Sequence, residues 1–175
     1  MKQKLRLICL YLAVAYVQCS NATDVSYTAT VAHMTHWNQF FKGSVGSGHM
    51  ALAQRQDYRD HIAMLATSTG MKYVRGHGLF DDDMSVFKAP GQFSFYNIFS
   101  HIDNLLANNM LPLLELSFVP EWLASTNSTF FAHYKGRTSP PNDYNAWQDL
   151  HFNLGRAIVA RYGEALASEF YFEVW

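Results

Sequence analysis

Residues 111–118 read Leu-Pro-Leu-Leu-Glu-Leu-Ser-Phe, an apolar run interrupted by one glutamate and, two positions on, one serine. Two positions along an extended chain restore the same face, so Glu115 and Ser117 share one side of a predicted strand. The device recurs on either side. Residues 72–77 read Lys-Tyr-Val-Arg-Gly-His and residues 170–175 read Phe-Tyr-Phe-Glu-Val-Trp, which pairs Arg75 with His77 and Glu173 with Trp175. A fourth strand is predicted over residues 25–33. Charges inside apolar strands are costly unless paired, so Arg75, Glu115 and Glu173 predict a structural ion network on a shared interior face.

Helices are predicted between the strands. Phe95, Ile98, Phe99, Ile102, Leu105 and Leu106 recur at the spacing that lays one apolar stripe along a helix, with Ser94 as its cap. Tyr58, Ile62, Leu65 and Thr69 form a weaker stripe that ends at Gly70. Trp147, Leu150, Leu154 and Ile158 form the third, preceded by Pro140-Pro141-Asn142-Asp143 and closed by Gly163. The order β-α-β-α-β-α-β implies parallel strands, in a doubly wound sheet or a (β/α) barrel. Polar residues alternating near the C-terminal strand ends favour the barrel, whose active sites lie at that rim. A dinucleotide-binding reading needs glycines spaced two and then three apart directly after the first strand. Gly43, Gly46 and Gly48 are spaced three and then two, about ten residues past the first predicted strand, so that reading is discounted.

Composition narrows the function. The 175 residues are 49% hydrophobic and 15% charged with a net charge of −1, which fits a globular domain and excludes the basic footprint of a nucleic-acid binder. Lys2, Lys4 and Arg6 precede an apolar stretch over residues 7–17 and a small-residue site at Ser20-Asn21-Ala22. That pattern predicts a signal peptide over residues 1–22, too short for a membrane span, and a domain over residues 23–175 that is secreted, extracellular or lysosomal. Cys9 and Cys19 both fall in the predicted leader, so no disulfide is expected in the remainder. Asn127-Ser128-Thr129 is a sequon for N-glycosylation.

In order along the chain, GSVGSGHMALAQRQDYRDHI, GMKYVRGHGLFDDDMSVF, LLELSFVPEWLAS, YKGRTSPPNDYNAWQDL and RYG followed by FYFEVW resemble family 39 glycoside hydrolases, the β-xylosidases and α-L-iduronidases. The resemblance runs from about Thr35 to Trp175. It implies the N-terminal half of a (β/α)8 barrel, with about four strands and three helices, truncated before its catalytic groups. It also implies a retaining O-glycosidase, most like a β-xylosidase, with a carbohydrate substrate and no cofactor. Such hydrolysis needs one carboxyl to protonate the leaving oxygen and a second, roughly 5–5.5 Å away, to attack the anomeric carbon. The family's acid/base Glu lies directly beyond the position of Trp175, and the nucleophile is later, so residues 1–175 alone are expected to be inactive. The alternative is a secreted, non-catalytic carbohydrate-binding homologue.

What the resemblance places within this chain is sugar recognition. His49, from GSGH, and His77, after the second strand, are expected to hold sugar hydroxyls, since a neutral imidazole offers one donor and one acceptor. Phe118 and Trp122 are candidates for a sugar platform, or for packing beneath a rim loop. Asp81-Asp82-Asp83 reads as a solvated loop or a helix-capping cluster, and His33, His36, His49 and His77 lack zinc-ligand spacing, so no metal is expected. Gly76 departs from the family pattern in marking a close approach within a strand.

Overall fold

A computed structural model of the chain describes residues 26–28 and 38–175. The predicted leader and most of the predicted strand over residues 25–33 lie outside the described residues, and residues 26–28 have no regular structure. Contacts divide the chain into Met1–Asn38 and Gln39–Trp175, and the second unit holds every element below.

Its elements are β1 (Ser44–His49), α1 (Gln56–Thr69), β2 (Tyr73–His77), a hairpin of β3 (Phe87–Ala89) and β4 (Gln92–Phe93), α2 (Tyr96–Ala107), β5 (Leu111–Leu116), α3 (Tyr144–Tyr162), α4 (Glu164–Ala167) and β6 (Tyr171–Val174). Strands β1, β2, β5 and β6 form one parallel sheet in that order. The order follows the chain without reversal. A doubly wound sheet reverses at its switch point, whereas successive right-handed crossovers in one direction keep the helices on one side and curl toward a barrel. The barrel reading therefore stands.

The first strand of this sheet corrects the sequence expectation. Ser44-Val45-Gly46-Ser47-Gly48-His49, not among the predicted strands, pairs in parallel with β2 from Ser44 against Tyr73 to His49 against His77. Glycine disfavours strands in isolation, but pairing to β2 supplies the hydrogen bonds that local preference cannot. Gly48 has φ +84, the left-handed region open to glycine, and coincides with a register irregularity between Gly46 and His49. Gly76 is explained too: a Cβ there would lie 2.5 Å from Met50 Cε, so the methionine side chain occupies the space over the strand.

The helices follow their stripes. Gly70 ends α1 at φ 70, as a left-handed C-cap. Asp143 caps α3, its carboxylate accepting from the Asn145 and Ala146 amides at 2.8 and 3.2 Å. At α2 the expected cap is displaced: Phe95 holds the position, with no side-chain hydrogen bond, while the Ser94 amide donates to Val86 O at 2.8 Å. Ile98, Ile102, Leu114, Leu150, Leu154 and Ile158 are almost wholly buried in one cluster between helices and sheet. Each such side chain contributes ~1.5–3 kcal/mol over leaving it in water.

One buried residue breaks the apolar pattern. His101, on the inner face of α2, is 1% exposed, and neither ring nitrogen has a hydrogen-bond partner among the described residues. Burial, with Arg59 nearby, lowers its pKa from 6.5 to about 4. The folded state therefore holds a neutral ring while the unfolded chain takes up a proton. Stability from this residue is full above pH 6.5 and falls as the pH drops through the interval to about 4, by up to ~3 kcal/mol. Denaturant melts of the full-length His101→Leu variant should lose correspondingly less stability between neutral pH and that interval. An equal loss in both proteins would remove His101 from the account.

Candidate active site

The inner face of the sheet is built in layers, as a barrel interior is. Tyr73 and Tyr171 meet at 4.6 Å between ring centroids. One layer nearer the C-terminal ends, the Arg75 guanidinium bonds the Glu173 carboxylate at 2.6 and 2.9 Å and pairs with Glu115. Glu115 is 1% exposed, and its other oxygen accepts from Ser117 Oγ at 2.5 Å. Ser117 Oγ in turn accepts from the Gly78 amide at 3.0 Å. The hydrogen bonds from Arg75 hold the Glu173 carboxyl below its ordinary pKa. Thus the charges predicted to pair do pair, and they tie the β2–α2 connection to β5.

Above them lies the rim. His49 and His77 end β1 and β2, with rings stacked 6.1 Å apart. Tyr134 joins them: its hydroxyl is 3.0 Å from His77 Nε2 and its ring is 4.0 Å from that of His49. Burial, with the Asp81 and Glu115 carboxylates, pushes the phenol pKa up, so the hydroxyl keeps its proton. The contact ties one ring nitrogen of His77 to the phenol, and Nδ1 is the nitrogen left for a ligand.

His49 is no loop residue; it is 7% exposed at the end of its strand. Burial foremost, then His77 and His133, lower its pKa to about 4, leaving it neutral at neutral pH. Its Nε2 lies 3.2 Å from Asp81 Oδ2 and 3.3 Å from Asp83 Oδ2. Asp81 departs from the solvated-loop reading and stands at the cap position of a short 3-10 turn, Asp82–Met84, with no side-chain cap hydrogen bond. It is 4% exposed, and burial, then Asp83 and Asp82, raise its pKa to about 7. At neutral pH the His49 imidazole is therefore neutral, beside an Asp81 carboxyl that is close to the midpoint of its titration. A cradle is left by Gly78: a Cβ there would lie 2.8 Å from Asp81 Oδ2 and 3.4 Å from His49 Nε2. Donor atoms of His49, Asp81 and Asp83 all lie within 4.8 Å of one another, a set able to hold a divalent cation.

The two aromatic candidates part company. Phe118 is 2% exposed and forms the floor, edge-on to Trp175 at 4.9 Å and within 6.4 Å of the His77 ring. A Cβ on Gly136 would lie 2.6 Å from the Phe118 ring, so the 130–136 turn closes directly onto it. Trp122 instead stands 64% exposed on a short 3-10 turn, with no ring contact among the described residues. The structure does not bring it to the histidines.

The residues missed by sequence come from the long connection between β5 and α3. Phe131, at φ 59, occupies a left-handed conformation that costs an aromatic residue ~1 kcal/mol or more. Its ring stacks at 6.1 Å on His77 and at 4.9 Å on Tyr134. The turn is held by the Phe130 amide on Gly136 O at 2.7 Å and the Lys135 amide on Phe131 O at 2.8 Å. Arg137 fixes the connection to the other side of the rim, bonding Asp82 at 2.6 Å and Glu121 at 2.9 Å. Beside Phe118, a cleft lined by Arg137, Tyr144 and Trp175 adjoins the rim. Tyr134 opens the segment YKGRT, but nothing in its spacing announced a contact with residues more than fifty positions upstream.

Histidines, a tyrosine and aromatic faces at the C-terminal ends of parallel strands form a surface suited to polyhydroxylated rings. The sequence model for Glycosyl hydrolases family 39 matches residues 28–175. The chain belongs to that family. It is 44% identical over 142 residues to a β-xylosidase of Caldicellulosiruptor saccharolyticus, covering 79% of this chain and 29% of that protein. A β-xylosidase of Geobacillus stearothermophilus is 38% identical over 143 residues, covering 77% of this chain and 28% of its own length. Among solved structures, a monomeric β-xylosidase from Caulobacter crescentus CB15 superposes with a TM-score of 0.73 at 31% identity, over 79% of this chain and 28% of that one. The chain thus spans less than a third of the length of these relatives. What family 39 contributes here is the strand-end rim, and its four strands agree with a partial barrel.

Proposed function

We propose that the protein containing this chain is a retaining β-xylosidase that enters the secretory route, and that residues 44–175 supply one side of its sugar pocket. The observation that carries this reading is the rim itself: His49, His77 and Tyr134 converge where a barrel enzyme holds its substrate, in a chain 44% identical to a β-xylosidase. An imidazole offers hydroxyls both a donor and an acceptor, and exposed Trp175, packed edge-on to buried Phe118, offers an apolar face to a pyranose. The rim groups orient the sugar; they do not attack it. Proton donation and nucleophilic attack fall to two glutamates, which the family resemblance assigns to positions after Trp175.

Full-length protein supplied with a chromogenic aryl β-xyloside is expected to release xylose that is first detected as the β-anomer. Proton NMR during the first turnovers checks this. An α-anomer as first product would overturn the retaining mechanism, and binding without cleavage would favour the non-catalytic carbohydrate-binding alternative.

The basic start, short apolar core and small-residue site of residues 1–22 support entry into the secretory route. Among the described residues, no helix is long and apolar enough to cross a membrane.

A further inference from the structure

We propose that Asn127 is N-glycosylated, so that an oligosaccharide stands beside the sugar-binding rim; this rests on the secretory part of the reading above. The sequon Asn127-Ser128-Thr129 meets the chemical requirement, with a hydroxyl two residues after the amide and no proline between them. The fold meets the steric one. Residues 125–133 are all exposed, and Asn127, Ser128 and Thr129 belong to no helix or strand. The Asn127 amide makes no hydrogen bond to any described residue, so attachment displaces nothing.

The segment is also held in place on both sides, which keeps it displayed after folding. Ala124 bridges to Pro141 and Phe130 to Gly136. The Ser125 amide donates to Pro140 O at 3.1 Å, and Asn142 Nδ2 donates to Trp122 O at 3.2 Å. The same connection supplies Phe131 and Tyr134 to the rim, which places the glycan on the mouth side of the sheet. Neighbouring Phe130 is 63% exposed, an apolar face of the kind on which a sugar ring stacks.

The transfer balances with a lipid-linked oligosaccharide diphosphate as donor. Asn127 Nδ2 forms a bond to the anomeric carbon of the first sugar, the bond from that carbon to the diphosphate oxygen breaks, and the lipid diphosphate leaves with the electron pair. Nδ2 loses one proton.

The test is expression of full-length protein in a eukaryotic secretory host, followed by peptide mass spectrometry after treatment with an amide-cleaving glycanase, which turns a modified Asn into Asp. The second sequon, Asn21-Ala22-Thr23, straddles the predicted cleavage site and is separated from Asn127 in the peptide map. The expected result is conversion of Asn127 to Asp in the secreted product. Thr129→Ala should abolish the conversion and Thr129→Ser preserve it. Asn127→Gln should leave aryl-xyloside hydrolysis unchanged and speed tryptic cleavage at exposed Lys135, which the glycan otherwise shields. A secreted protein with Asn127 unconverted overturns the proposal. So does a product that stays in the cytosol with residues 1–22 still attached, and that retained leader shows that the route failed, not the site.

Discussion

Arg75→Leu in the full-length protein is expected to lower unfolding free energy by ~3 kcal/mol. The cause is what remains behind. Glu115 is 1% exposed and pairs with Arg75; its other contact, from Ser117 Oγ at 2.5 Å, is a neutral hydroxyl. Without the guanidinium, a buried carboxylate has no counter-charge. The second arm of the network counts for little, since Glu173 is 36% exposed and water can replace its partner.

The double variant Arg75→Leu/Glu115→Leu should recover most of the loss, because removing both charges leaves nothing to desolvate. Urea melts of the two variants and the parent give this directly. The sign with pH is fixed as well. The deficit is an effect of the unpaired charge, so it should be smaller in acid, where carboxyl groups are neutral, than at neutral pH. A single variant as stable as the parent at neutral pH would mean that Glu115 is not held as a charged group.

The second large effect is on activity. His77→Ala in the full-length enzyme is expected to lower kcat/KM for an aryl β-xyloside roughly a hundredfold, about 2.7 kcal/mol, the worth of one or two hydrogen bonds to a ligand hydroxyl plus lost positioning. Tyr134→Phe should cost less, about three- to tenfold, because it removes only the hydroxyl that orients His77 through Nε2 at 3.0 Å. Neither change should move the melting temperature much, since both side chains are partly exposed at the rim. The comparison separates orientation from packing. If His77→Ala kept full activity, or if both variants failed only through loss of fold, the rim would not be a sugar site.

Several parts of this molecule were legible from residue order. The apolar stripe of α2 and the Gly70 and Gly163 stops follow from helix geometry and from the left-handed freedom of glycine, both local properties. The ion network was legible for a related reason: an alternation of two puts Arg75, Glu115 and Glu173 on one face, and burial of a charge demands a partner.

Other parts were not. Ser44–His49 carries three polar residues and two glycines, and only hydrogen bonding to β2 makes it a strand. His101 sits three residues after Ile98 and four before Leu105, on the buried row of α2, but its polar ring hid it from a reading that followed apolar residues. Asp81 looks like one of three loop aspartates until the chain folds over it and raises its pKa to about 7.

Sequence by itself therefore determined the alternation of strands and helices, the parallel sheet, the polar strand ends and the family, since each depends on periodicity or on long ordered motifs. Only the tertiary structure decided that β1 exists, that Phe118 is the floor while Trp122 stands apart, and that Tyr134 links His49 to His77. Those are relations between residues up to eighty-five positions apart, from Tyr134 back to His49. Spacing along one strand cannot encode the distance across several, and that distance is fixed only when the sheet closes.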